Sequence, residues 1–236
     1  MKIGSLAELL LIDTRSRRDE PLGGAAISDP SRSQLGEEQR DWLFNALDES
    51  TAEWRFLGNA SILSRTWVEN PSPTLLEGLV ALKLMSPDGG PDPDQWDGYV
   101  PEREALVSHL DGGNTIVLSG DVHVGLAADL RDPADPDRVI AYEFVTSSLT
   151  SQNLDDKKGW GYRTRSVDVE TAFVAALRDI RWADMDSHGY LVVDANRERV
   201  RVEWWFVDSI LERTPGQRMA MAMELGLGTD AMVESS

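Results

Sequence analysis

Two residues, Asp121 and His123, carry the plainest chemistry in this sequence, within the stretch NTIVLSGDVHVGLAADL. A carboxylate supplies a hard oxygen and neutral imidazole a nitrogen suited to transition metals, so the pair would make half of a divalent-metal site. The competing reading is structural. An Asp at a strand end often accepts backbone amides in a turn, and a neighbouring His is often a half-buried hydrogen-bonding residue. The residues alone leave both readings open.

The element that must deliver the pair is residues 115–118, a short β-branched and apolar run of the kind buried on both faces of a sheet. Ser119 and Gly120 end it. If extended geometry continues past Gly120, residues two apart point to the same side, which would place both side chains in one small volume. In open α/β sheets ligands bind just outside the carboxyl ends of strands. Two further strands finish alike. Residues 7–12 lead into Asp13, Thr14 and Arg15, and residues 54–57 lead into Gly58 and Asn59. Arg15 suits a phosphate or a structural pair with a carboxylate. Asn59 offers a carboxamide oxygen to a hard metal, or a plain turn.

Around these strands the pattern places an amphipathic helix opened by Ser33 or Gly36, with Trp42, Leu43, Ala46 and Leu47 as its apolar stripe. A second helix is expected over residues 74–85, and a third from Pro101, ended by Gly112 and Gly113, with His109 in its last turn. Between them lies SPDGGPDPDQ, whose composition resists regular structure and suits either a lid or a disordered loop. Residues 123–130 and 139–146 read as an antiparallel pair. The run from Thr146 to Asn153 crowds hydroxyls and amides into a wall or a capped loop. A helix over 168–178 and a closing hairpin follow, the latter with Val200, Val202, Trp204 and Phe206 on one face. His188 precedes that hairpin as a residue leading into a strand, or as a third site histidine. The division expected is one domain over residues 1–213 and a flexible, Met-rich tail over 214–236.

At 236 residues and 41% hydrophobic content the chain can build a proper core. A net charge of −18 argues against a nucleic-acid surface and against anionic membranes. Without cysteine the chain forms no disulfide or thiolate metal site. No signal peptide or membrane span is legible, so the chain as written reads as cytoplasmic. The nucleophile elbow, the P-loop, the dinucleotide fingerprint and the H-E-x-x-H motif are all missing. Paired carboxylates for glycoside chemistry stay open, because acidic residues are numerous enough to pair by chance.

The phrases LLLIDTRSRRDEP, LGEEQRDWLFNAL, WRFLGNA, WDGYVPER, SGDVHVGLAADL, YEFVTSSLTS and SHGYLVVDANRERVRVEWWFVD occur in that order. Together they resemble the PhoD-like alkaline phosphatases, a branch of the calcineurin-like metallophosphoesterases, over residues 7–213. The resemblance implies α/β architecture, part of a four-layer α-β-β-α sandwich with mixed sheets. It also implies a multinuclear centre of iron and calcium that hydrolyses phosphate monoesters and diesters through a metal-bound hydroxide. Other divalent metals are compatible with the same ligands. The family's G-D-V-H motif falls on Gly120, Asp121, Val122 and His123, with Asp121 and His123 as ligands. Its strand-ending Gly-Asn falls on Gly58 and Asn59, beside the metals. Arg15 is a phosphate or metal-supporting group by position. Relatives are commonly secreted or periplasmic.

The departure from the family is large. Its upstream ligands (a cysteine, an aspartate with a tyrosine, an Asp-Asp-His segment) have no counterpart here. The chain resembles the second half of the catalytic domain, and a partial ligand set should bind metal weakly. The expected partners are therefore a phosphate ester, and either a second copy of the chain or a missing N-terminal segment. The alternative function is a non-catalytic remnant or subunit that pairs with another chain through exposed sheet edges.

Overall fold

The computed structural model describes residues 1–111, 114–213, 216–229 and 232–235. Four parallel strands form its centre: β2 (Ala7–Leu11), β3 (Trp54–Asn59), β4 (Thr115–Ser119) and β6 (Val139–Val145). The sheet is extended by β1 (Lys2–Ile3), β5 (Gly125–Arg131) and β7 (Ile180–Asp184) in antiparallel pairing, giving the order β1-β2-β3-β4-β6-β5-β7. A second sheet is wholly antiparallel. It consists of β8 (Gly189–Ala195), β9 (Arg199–Val207), β10 (Gln217–Gly226) and β11 (Met232–Glu234), in the order β11-β10-β9-β8.

Side-chain alternation explains why the sheets stack. Trp54 and Phe56 of β3 and Ile116 of β4 face one side, where they meet Val200, Val202, Trp204 and Phe206 of β9. The intervening Leu57 and Val117 face the opposite side. There they meet Leu43 and Leu47 of helix α1 (Glu37–Glu49) and Leu106 and Val107 of α3 (Val100–His109). Helices α2 (Pro73–Ala81) and α5 (Ser166–Ala176) cover the β5–β7 end of the same face, with the short α4 (Leu154–Lys158) between them in sequence. The indole Nε1 of Trp204 donates to the Val145 carbonyl at 3.0 Å and so ties one sheet to the other. The α/β sandwich expected from the sequence is thus the architecture found, with this chain supplying helices and two sheets.

Three expectations are corrected. Trp42 is 47% exposed, and the buried stripe of α1 is Leu43 and Leu47. Helix α2 stops at Ala81, because Lys83 adopts a left-handed backbone with φ 57°. Directly after the SPDGGPDPDQ loop, Trp96 is fully buried, and the Asp97 carboxylate accepts from the Thr66 and Trp67 amides. The Met-rich segment expected as a flexible tail forms β10 and β11. Ala222, Met223 and Leu225 are buried, with Met223 and Leu225 in the core between the two sheets. Met has weak strand propensity, and a bulge between Met219 and Met221 interrupts the alternation that would have marked the strand. The expected helix end at Gly112 and Gly113 lies outside the described residues.

Candidate metal and phosphate site

Because β2, β3 and β4 run parallel in register, their carboxyl ends reach one edge of the sheet together. Leu11 pairs with Gly58 and Asn59 with Ser119. Three of the four sequence-derived site residues, Arg15, Asn59 and Asp121, follow from this geometry, and His123 stands two residues beyond Asp121.

After β2, the Asp13 carboxylate accepts the amides of Arg15 at 2.8 Å and Ser16 at 2.9 Å, a tight turn that throws Arg15 outward. Hydrogen bonds from the Ser16 side chain and amide, with that of Arg15, hold the Asp13 carboxyl down at about 2. Gln39 of α1 bonds both the amide and the carbonyl of Asp13, and the buried Thr14 hydroxyl meets that of Ser61 at 3.0 Å. The turn is therefore held from two directions. Arg15 Nη2 donates to Asp121 Oδ2 at 2.8 Å, and its Nη1 donates to Asp94 Oδ2 at 2.8 Å. Burial works against the guanidinium's charge, yet the bond to Asp94 and the charge of Asp121 outweigh it and raise its pKa.

After β4 the backbone departs from the extended path. Asp121 and His123 both take left-handed conformations, with φ 70° and 61°, and the Val122 amide folds back to the Gly120 carbonyl. The simple two-residue alternation of a strand therefore does not set this pair. Their anchoring comes instead from Val122 and Val124, which are buried in the core on either side of His123. The hydroxyl-rich loop that follows proves to be capped, with the Ser148 hydroxyl accepting the Thr150 and Ser151 amides. It also orients both histidines by backbone carbonyls: His123 Nδ1 bonds Gln152 O at 2.9 Å and His188 Nδ1 bonds Ser148 O at 3.2 Å. His188 is further bonded to Asn153 and Asp156, consistent with a structural role at the start of β8.

Asn59 is nearly buried. Its Nδ2 donates to Ser119 Oγ at 3.2 Å and to the Ser61 carbonyl, while Oδ1 accepts long bonds of 3.3 Å from the Ser61 amide and Trp96 Nε1. Ser119 in turn donates to Glu143, a fully buried carboxylate that also accepts from the Leu63 and Ser64 amides and the Ser64 hydroxyl.

The donor set fits a metal ion in part. A His whose Nδ1 bonds a carbonyl presents Nε2 outward in the tautomer that ligates metals, and no described residue bonds His123 Nε2. Asp121 has one oxygen on Arg15 and the other uncommitted. Among the described residues no group of three His, Cys, Asp or Glu side chains comes together as a metal cage. Arg15 and Arg18 bring positive charge to the site and are paired there with Asp94 and Asp121. Lys157 feels Asp121, but burial and neighbouring Lys83 push its pKa down.

Sequence reasoning missed Asp94, Ser119, Glu143 and Lys157. A Glu inside an otherwise buried strand was the one available signal for Glu143. Asp94 reaches the site through its bonds with Arg15 and Arg18, and Lys157 only through the charge of Asp121.

The sequence model of the PhoD-like phosphatase family matches residues 1–204. Alkaline phosphatase D of Bacillus subtilis (strain 168) is 32% identical over 160 residues, covering 63% of this chain and 25% of that protein. A solved structure described as "Structure of PhoD" superimposes with a TM-score of 0.78 at 23% identity, over 99% of this chain and 42% of that one. The chain thus spans a quarter of the length of the curated relative and less than half of the solved one. Fold and sequence agree, and the chain belongs to the PhoD-like phosphatase family.

Proposed function

We propose that this chain is the metal- and phosphate-holding portion of a phosphoric ester hydrolase. The observation that supports it most directly is the convergence of Arg15, Asn59 and Asp121 at the carboxyl ends of three registered parallel strands, in a member of a phosphatase family. Asp121 and His123 Nε2 would hold metal, with Asn59 Oδ1 beside it. Iron and calcium are the proposed ions. When bound, such ions polarise phosphoryl oxygens and lower the pKa of water that attacks phosphorus. This chain's own contribution is to fix the imidazole tautomer through Gln152 and to supply cations, Arg15 and Lys157, for the anionic ester.

The test measures phosphate release from p-nitrophenyl phosphate and its bis ester, with iron plus calcium added and with chelator. It uses the chain alone and the chain co-expressed with the upstream half of a family member. Metal-dependent turnover, lost in Asp121→Asn, is expected. Turnover indifferent to chelator and to Asp121→Asn would refute the proposal.

A second reading, a subunit that pairs with another chain, is supported by the free edge of β8. That strand borders a cleft of about 600 Å³ lined by Leu11, Leu118, Tyr190, Leu191 and Val193. Leu11 and Val192 are 67% and 40% exposed, and an added strand would cover both the edge and the apolar cleft. Light scattering that finds only monomer, alone and with the upstream half, would dispose of it.

A further inference from the structure

The two carboxylates that share Arg15 are held very differently. Asp94 receives Arg15 Nη1 on one oxygen and Arg18 Nη2 on the other at 2.6 Å, while Arg18 Nη1 also donates to the Asp94 carbonyl at 3.1 Å. Its own amide is tied to Asp92 Oδ1 at 2.9 Å. Burial alone would raise the Asp94 carboxyl, but the two arginines more than reverse this. Among the described residues Asp121, by contrast, is hydrogen-bonded by Arg15 alone, through one oxygen, on a side chain 38% exposed.

We propose that Arg15 is the resident counter-cation of Asp121 and that a metal ion competes with it for that carboxylate. On arrival of the metal the Arg15–Asp121 bond opens, and Asp94 keeps the guanidinium at the rim of the site, facing the phosphoryl oxygens. The inference rests on the metal-dependent reading above. The direction follows from magnitudes. A half-exposed ion pair contributes little, whereas a carboxylate gains far more from a multivalent cation at bonding distance. Metal therefore displaces Arg15, and the pair weakens metal affinity only modestly, by about two- to five-fold. Arg15 would then link the two tasks of the site: the metal that takes its place on Asp121 also frees it for substrate.

The experiment is calorimetric titration of the chain with Ca²⁺ and with Mn²⁺, paired with the ¹⁵N–Hε resonance of Arg15 during the Ca²⁺ titration. Arg15→Met is expected to bind each ion about two- to five-fold more tightly than wild type. Arg17→Met removes the same charge from a neighbouring residue that has no bond to Asp121 and should change affinity less. The Arg15 resonance should move with Ca²⁺ saturation in wild type and stay still in Asp121→Asn. If wild type binds through Asp121 and Arg15→Met binds equally or more weakly, or no better than Arg17→Met, the competition is refuted while the metal reading survives. Failure of wild type and Arg15→Met alike to bind better than Asp121→Asn would overturn both.

Discussion

Ser119 Oγ donates to Glu143 Oε1 at 2.5 Å, joining the last residue of β4 to a carboxylate with no solvent exposure on the neighbouring β6. A buried carboxylate persists only where donors replace water, and four protein donors converge on this one. The same Ser119 accepts from Asn59, so Glu143 sets the orientation of the Asn59 carboxamide. Glu143→Gln turns an amide hydrogen against one of those donors and is expected to lower stability by about 3–5 kcal/mol. Ser119→Ala removes one of the four donors to Glu143, together with an acceptor of Asn59, and should cost about 1–3 kcal/mol. Urea unfolding distinguishes the two, and equal losses would mean that the carboxylate is not the centre of the network.

How far all this was legible before the fold was known depends on whether a residue's partners lie near it in sequence. The central strand 115–118 and its G-D-V-H ending were visible, because β-branched runs and strand-end polar residues are local signals. So was the β8–β9 hairpin, where Val200, Val202, Trp204 and Phe206 alternate inward. Strand β10 was not, since methionine gives a weak strand signal and a bulge breaks its period. The left-handed backbone at Asp121 and His123 replaced the extended path that their spacing suggested. Asp94 meets Arg15 across 79 positions of sequence, a pairing that no window on the sequence contains.

Gly189 begins β8 where no side chain fits. A Cβ there would lie 2.0 Å from the backbone oxygen of Trp205 and 2.7 Å from Phe206 Cδ1. Backbone cannot step aside as a side chain can, so Gly189→Ala is expected to cost about 1–3 kcal/mol and to loosen the β8–β9 pairing. Gly58→Ala is the matched comparison. Its Cβ meets Leu11 Cδ2 at 2.4 Å, the tip of an exposed and movable side chain. Thermal melts should show a clear drop for Gly189→Ala and a much smaller one for Gly58→Ala. The reverse order would contradict the packing described.

Arg55 is a buried cation that donates to three backbone carbonyls. Its guanidinium donates to Leu47 O in α1 at 3.1 Å, and to Leu110 O and Asp111 O just past α3 at 3.2 and 2.7 Å. These lie at the carboxyl ends of two helices, where unpaired carbonyls and the helix dipole favour a positive group. Burial lowers the Arg55 pKa, with the charges of Asp111 and Asp48 opposing. Arg55→Met keeps the stem and removes the donors, so a loss of about 2–4 kcal/mol is expected. Hydrogen exchange should quicken first at the ends of α1 and α3. Unchanged protection there would refute the capping role.

Glu170 on α5 gives the fold a pH dependence of definite sign. Burial lifts its carboxyl to about 7, with the charge of Asp184 adding, against the opposing Met185 amide at 2.8 Å and the Arg163 pair at 2.6 Å. Because the folded-state value lies above the ordinary 4.5, the protonated form is favoured by folding. The contribution is complete below about pH 4.5 and is lost as pH rises through 7. Its ceiling is about 3 kcal/mol, from the size of the shift. Glu170→Gln keeps an acceptor for Arg163 and Met185 while removing the titration, so the stability gap between pH 5 and pH 8 should shrink relative to wild type. Asp186, raised chiefly by its own burial, leaves a residual slope of the same sign in the variant. Denaturant midpoints at the two pH values decide the matter, and parallel profiles for the two proteins would show that Glu170 is ionised throughout.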